Sequence, residues 1–329
     1  MAEDTFCGGA VRLSRYVPVL TLAALAVIWG YSWIPGKLGV INSNAFVFAA
    51  ARTLPAGVLL LTLLPVLGRP LRPKAFWLTA IVGVLQVGGF VGLISAALVA
   101  GGAGHTAMLA NSWQFWLLVL AWWFLGERLR GGQWLAVVVA LAGLVLIVEP
   151  WRLHGVLSSL LALGAAVSFA AGAVVAKVLR RRHKVDLLSL TAWQTFLGSI
   201  PLMVVAAVSP GDGIQWNGDF IWSFAYCVVI STALGSLLWL YTLNAMPANM
   251  AGIGTIGTPV VGVLASWLQL DEQLSRPEIA GMVLVVIALG LLVLWGLRST
   301  KAPWQAAEQG RFAAQTRWAR ARQGRKERE

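Results

Sequence analysis

Charge is what this sequence has least of. Of 329 residues only 12% are charged, 13 acidic against 25 basic, where a soluble domain carries about 25%. There are two cysteines and three histidines. Cys7 and Cys227 offer neither a disulfide framework nor metal-ligand spacing. Cys227 lies within an apolar run, as a buried small hydrophobe does. No Walker-type phosphate loop is present, which excludes an ATP motor in this chain. No Asp or Glu falls deep in an apolar run, and Glu127, Asp186 and Glu272 stand apart from one another. Membrane enzymes gather such groups at one face. The expectation is therefore no catalytic residue, no metal, no cofactor and no enzyme.

What fills the chain instead is hydrocarbon, with 58% of residues apolar. Apolar runs recur from residue 17 to residue 297, each long enough to cross a bilayer core of about 30 Å. They are continuous rather than alternating, which indicates helices and not a barrel. Ten spans are expected, at 17–36, 45–67, 76–98, 104–125, 132–148, 155–178, 187–208, 220–243, 248–270 and 277–297. The breaks carry turn chemistry, as in Gly68-Arg69-Pro70, Gly101-Gly102, Glu149-Pro150 and Ser209-Pro210-Gly211. No small-residue cleavage site precedes Lys37, so the first run reads as a retained span.

Cytoplasmic loops should hold the Lys and Arg. With the N-terminus inside, every basic residue except Lys37, Arg52, Arg152 and Arg276 falls on the inner side. The excess of positive charge is thus topological and needs no nucleic acid. Both termini are expected in the cytoplasm of a cell whose inner membrane this multi-pass chain crosses. Residues 1–16 form an N-terminal segment and 298–329 a basic tail. Trp304, Phe312 and Trp318 fit an interfacial amphipathic helix in that tail, and a disordered basic tail is the alternative.

The sequence also repeats. Leu125-Gly126-Glu127-Arg128-Leu129 is echoed by Leu270-Asp271-Glu272-Gln273-Leu274, and the same offset pairs Trp122 with Trp267 and Ala103 with Ala248. Trp29-Gly30-Tyr31-Ser32, then Lys37, faces Phe169-Ala170-Ala171-Gly172, then Lys177; Ala51-Arg52-Thr53 faces Trp193-Gln194-Thr195. Residues 17–148 and 155–297 thus read as two five-helix repeats. Five is odd, so the second enters the membrane with opposite polarity, as in many secondary carriers. The fold class expected is an all-α membrane protein of ten transmembrane helices in two inverted-topology repeats.

Trp29-Gly30 in the first span, Arg52 in the second, Gly126-Glu127-Arg128-Leu129 after the fourth and the Asp271-Glu272-Gln273-Leu274 echo resemble the drug/metabolite transporter superfamily, in its EamA-type branch. The resemblance spans about residues 17 to 297. It implies a pseudo-two-fold bundle around a central cavity, and export or exchange of small metabolites such as amino acids. The second turn departs from the family's Gly-Glu-Arg-Leu pattern, keeping the Glu and Leu.

Polar groups inside the spans are the candidate substrate pathway. Arg52 is costly in hydrocarbon and reads either as a carboxylate anchor or outer gate, or as a snorkelling side chain tied to carbonyls and to Glu149 or Asp219. Gln86, Asn111, Gln114 and Gln194 are mid-membrane amides, with interhelical glue as the alternative role. Trp29, Trp113, Trp239 and Tyr241 would wall the pocket. Pro259, after Gly252, Gly254 and Gly257, marks a helix break, with a kinked packing helix as the alternative. His105 is the one histidine near a span mouth. The function expected is a secondary transporter of a small metabolite. A polytopic membrane enzyme acting on a lipid-like substrate, or a non-transporting sensor or scaffold, is the alternative. Partners are the small-molecule substrate and the lipid bilayer, with room for a homodimer.

Overall fold

The computed structural model describes residues 4–126, 131–149, 155–209, 213–245 and 257–299, and every regular element among them is a helix. Hydrocarbon offers backbone groups no water, so a chain this apolar must satisfy them within helices. Among the described residues the helices string into ten segments at the expected places, with residues 248–256 of the expected ninth span lying outside those described. Segment one is Asp4–Tyr31 with Trp33–Ile41, two is Ala45–Val66, and three is Phe76–Gly83 and Phe90–Ala100 around a wider π turn, Val84–Gly89. Four is Ala103–Ala110 with Trp113–Leu125, five Gly131–Val148, six Val156–Arg182 and seven Leu187–Val208. Eight is Gly218–Ala225 and Gly235–Ala245 around a second π turn, Tyr226–Leu234; nine is Gly257–Gln269 and ten Arg276–Ser299. Among the described residues seven segments, one to four and six to eight, are long and apolar enough to cross a membrane, and Gly132–Val148 is apolar but shorter.

The segment starts are written in the sequence. Asn44, Asp186 and Asn217 cap segments two, seven and eight by accepting from Phe46 N, Ser189 N and Phe220 N at 2.8–2.9 Å, which satisfies donors that have no partner within the helix. Gly126 ends segment four at φ 65°, a left-handed conformation that glycine adopts without a Cβ clash. Two breaks lie inside segments. Pro35 cannot donate to the Tyr31 carbonyl one turn back, and segment one breaks at Ser32, whose Oγ donates to Trp29 O at 2.6 Å. In segment four, Asn111 Nδ2 donates to Ala107 O at 2.8 Å and Ser112 Oγ to Leu109 O at 2.6 Å. These side chains compete with the backbone for its carbonyls.

Apolar helices gain little from hiding apolar surface in lipid, so close packing of small residues must join them. Segments two and seven touch at Gly57, where an added Cβ would lie 2.7 Å from Phe196 N. Segments five and ten meet glycine to glycine: a Cβ at Gly143 would lie 2.8 Å from Gly281 O, and one at Gly281 2.5 Å from Gly143 O. Segment one packs on nine as six packs on four; three packs on six as eight packs on one; three packs on seven as eight packs on two. Every one of these contacts maps onto another, or onto itself, when each segment is exchanged for the one five places away.

Loops that the charge pattern assigns to one side also meet one another. At one end Arg69 pairs with Asp186 at 3.0 Å. At the other, Asn217 Nδ2 donates to Asn42 Oδ1 at 2.6 Å, and Lys37 Nζ donates to Gly101 O at 2.7 Å. These two clusters mark an Arg69 end and a Lys37 end of the bundle. Residues 300–329, including Trp304, Phe312 and Trp318, lie outside the described residues, as do Glu127, Arg128 and Gly252.

Candidate functional site

Arg52 sits two turns into segment two and faces segments one and three. A cavity of about 70 Å³ opens beside it, bordered by Ser32, Trp33, Gly36, Phe90, Ile94 and Leu98. The Ser32 break and Gly36 make the room: a Cβ on Gly36 would stand 4.0 Å from Arg52 Nη1 and 3.4 Å from Leu98 Cδ1. The guanidinium lies 6.0 Å from the centre of the buried Phe48 ring, a weak cation–π partner. Arg52 Nε is buried and has no hydrogen-bond partner among the described residues. Neither carboxylate considered for Arg52 ties it down: Glu149 accepts from Ser275 Oγ at 3.0 Å, and no ion pair joins Arg52 to Asp219 among the described residues. A buried donor without an acceptor costs about 1–3 kcal/mol, more when charged, so an acceptor entering the cavity beside Arg52 Nε would be stabilised there.

Beyond that cavity, at the Lys37 end, lies a polar cluster. Lys37 Nζ donates to Leu98 O and Gly101 O, placing a cation on the carboxyl end of segment three. Glu272 takes the opposite dipole: its Oε1 accepts from Ala103 N at 2.6 Å and its Oε2 from Gly104 N at 2.9 Å, at the amino end of segment four. Cations at helix C-termini and anions at N-termini are each favoured. His105 touches Glu278 Oε1 and Ser159 Oγ, both at 2.9 Å. Glu278 closes a capping box on segment ten, accepting from Ser275 N at 2.7 Å while Ser275 Oγ accepts from Glu278 N at 3.2 Å. This cluster ties segments one, three, four, five, six and ten to the loop before segment ten, and it borders a second cavity of about 330 Å³.

The other expected pathway residues do not share one place. Gln86, in the π turn of segment three, donates from Nε2 to Phe169 O at 3.5 Å. Trp113 packs on the same Phe169, ring centres 4.8 Å apart, and Phe169 on Phe90 at 4.8 Å. Asn111 and Gln114 flank the break in segment four, where Asn111 is buried. A second group lies across the bundle, where Trp29 Nε1 donates to Ser231 O at 3.0 Å and its ring meets Trp239 at 5.8 Å. Gln194 lies on segment seven, its carbonyl against Gly83. Tyr241 is 44% exposed and stands at the Arg69 end, on a separate cavity of about 650 Å³ beside Arg69 and Asp186. None of these residues borders the Arg52 cavity, although Phe90 links it to the Trp113 group. Pro259 is buried in the first turn of the described part of segment nine.

Three features went unread in the sequence. Ser32 and Pro35 open segment one, and Trp33-Ile34-Pro35-Gly36 was a legible signal for it. Glu278 was passed over, although Ser275-Arg276-Pro277-Glu278 is a readable capping box. The two π turns carried no signal. Each is held from the opposite half: Ser168 Oγ donates to Leu85 O at 2.8 Å, and Trp29 Nε1 to Ser231 O. Each also reaches back, Gln86 to Phe169 O and Tyr226 OH to Ile28 O at 2.9 Å.

Residues 17–149 and 156–294 each match the EamA-like transporter family. The chain is 30% identical over 286 residues to an uncharacterized transporter of Bacillus subtilis, covering 85% of this chain and 93% of that protein. It is 26% identical over 304 residues to a probable amino-acid metabolite efflux pump of Escherichia coli, covering 88% and 98%. A solved crystal structure shares the fold, with a TM-score of 0.62 at 16% identity, covering 87% of this chain and 99% of that one.

Proposed function

Because the chain belongs to the EamA-like transporter family, a family of carriers and not of enzymes, we propose that it exports or exchanges a small carboxylate-bearing metabolite, an amino acid or a close relative, across the cytoplasmic membrane. The observation that carries this reading is the buried, unpartnered Nε of Arg52 beside its cavity. The cavity has room for a few waters or one carboxylate, so it would take the head group and leave the rest of the substrate to Phe90, which lines the cavity and packs on Phe169. The name of the Escherichia coli relative supports the substrate class.

The packing supports an inverted repeat. Contacts that interchange when each segment is exchanged for the one five places away are what a two-fold axis produces. Five crossings per half lay that axis in the membrane plane, the arrangement common in secondary carriers. The basic loops then face the cytoplasm, with both termini, and the Lys37 end faces outward.

The test is counterflow in proteoliposomes with a panel of amino acids and their decarboxylated amines. The parent protein should accept acids and reject amines. Arg52→Gln should weaken substrate affinity about 10–100-fold, the worth of one charge-assisted hydrogen bond of about 1.5–3 kcal/mol; Arg52→Lys should fall between. Unchanged affinity in Arg52→Gln, or equal transport of the amines, would remove Arg52 from substrate recognition.

A further inference from the structure

The cavity of about 650 Å³ at the Arg69 end shares no lining residue with the one beside Arg52. The end of segment two, the start of segment seven and the last turns of segment eight border it. Its apolar wall is Leu67, Leu187, Leu188, Leu237 and Leu240. One polar pair stands among these leucines, with Arg69 Nη1 3.0 Å from Asp186 Oδ2. Both partners are held in place. Trp193 Nε1 donates to Leu71 O at 2.6 Å and Arg69 N to Leu64 O at 2.8 Å, which fixes the loop that carries Arg69. Asp186 Oδ1 accepts from Ser189 N at 2.9 Å.

The residues around this cavity face lipid. Val66 and Leu67 are 77% and 49% exposed, and on segment eight Leu234 and Tyr241 are 42% and 44% exposed. Leu234 and Tyr241 stand seven residues apart, about two turns, so they share one outward stripe. Acyl chains are as apolar as leucine and cover such a stripe on a membrane helix. Tyr241 marks the depth at which chains give way to head groups, where tyrosine is favoured. The charge at that depth is of one sign. Residues 67–75 and 180–186 carry three and four lysines or arginines and a single acid, Asp186. The Arg69 side chain is 52% exposed and directs one Nη at Asp186. A guanidinium has five N–H donors, so Arg69 can serve a second acceptor without leaving Asp186.

We propose that this cavity is a binding site for an anionic phospholipid of the adjoining leaflet. The lipid phosphate accepts from Arg69, and the first carbons of an acyl chain lie along Leu67, Leu187, Leu237 and Leu240. A cavity of this size suits a head group with part of one chain. The leucine wall selects a lipid over a free phosphate, which would leave that wall wet. The basic loops select a head group of net negative charge, since each lysine or arginine near the surface attracts it. In the orientation proposed above the leaflet is the cytoplasmic one. The bound lipid joins segment two of the first repeat to segments seven and eight of the second.

The test uses the full chain purified in a neutral detergent and needs no substrate, so it stands or falls apart from the role given to Arg52. Phosphatidylglycerol is titrated in, and native mass spectrometry counts the lipid retained. Phosphatidylglycerol should bind about tenfold more tightly than phosphatidylcholine. Arg69→Gln should weaken it about 10–100-fold, the worth of one charge-assisted hydrogen bond. Arg182→Gln removes the same charge from an exposed residue that does not line the cavity, and should weaken it less than about threefold. Leu240→Trp keeps every charge but fills the wall, and should weaken it as Arg69→Gln does. An exposed ion pair adds little to folding, so Arg69→Gln should fold. If it does not, Arg69→Gln with Asp186→Asn, which keeps the cap on segment seven, replaces it. Equal losses in Arg69→Gln and Arg182→Gln, unchanged binding in Leu240→Trp, equal retention of phosphatidylcholine, or displacement of the lipid by an equal concentration of glycerol 3-phosphate would each overturn the proposal.

Discussion

Replacing Glu272 with alanine removes one carboxylate and affects two helices. Its oxygens accept from Ala103 N and Gly104 N at 2.6 and 2.9 Å. Each bond to a charged acceptor contributes about 1.5–3 kcal/mol when it is buried. The adjoining cavity of about 330 Å³ can admit water to the freed N–H groups, which places the pair near the lower end. The favourable interaction with the segment-four dipole, about 0.3–1 kcal/mol, also goes. The sum is about 3–4 kcal/mol. At about 2–4 °C per kcal/mol, thermal unfolding in detergent should fall by about 6–16 °C. Glu272→Gln retains an acceptor for one N–H and should lose about half as much. Gly102→Ala probes the same contact from the other side, since its Cβ would meet the Glu272 carboxylate at 2.9 Å. A midpoint for Glu272→Ala within about 1 °C of the parent, well below the shift expected from even one such bond, would refute the claim that this carboxylate holds the Lys37 end together.

Two other outcomes are expected. Gly57→Ala forces a Cβ to within 2.7 Å of Phe196 N, a backbone atom that cannot yield alone, so segments two and seven must part at a cost of about 1–3 kcal/mol; a detergent melting curve unchanged from the parent would contradict that packing. A cysteine placed at His183, on the Arg69 end, should resist impermeant reagents in intact cells while one placed at Asp219 reacts, and outside labelling at position 183 would reverse the orientation.

The positions of the helices were legible because hydropathy and capping act locally. The segments Ala45–Val66 and Leu187–Val208 begin at the expected residues, each behind an Asx cap that satisfies the first turn whatever packs around it. Arg52 was legible too, because a guanidinium in an apolar run demands an explanation by itself. The depth of Tyr241 was not. It lies six residues beyond Gly235 on segment eight, enough helix to carry it from the packed middle to the exposed Arg69 end. Gln86 looked like a free mid-membrane amide, but its surroundings belong to segment six, where Gly172 lets it approach. A Cβ there would lie 2.5 Å from Gln86 Cγ. Glu272 looked isolated because its partners are backbone donors 169 and 168 residues away. Such partners leave no trace in side-chain spacing.

The π turns at Val84–Gly89 and Tyr226–Leu234 change how mutational data on this chain should be read. An α-helix advances its outer face with a period of about 3.6 residues, and a π turn delays that advance by closing its bonds one residue later. A substitution scan along segment three or eight will therefore lose phase at the turn. Positions tolerant of large side chains will follow one helical stripe before the turn and a rotated stripe after it. A single sinusoid fitted across either segment would average the two and report a helix without a preferred face, while separate fits on each side would recover two faces of normal contrast.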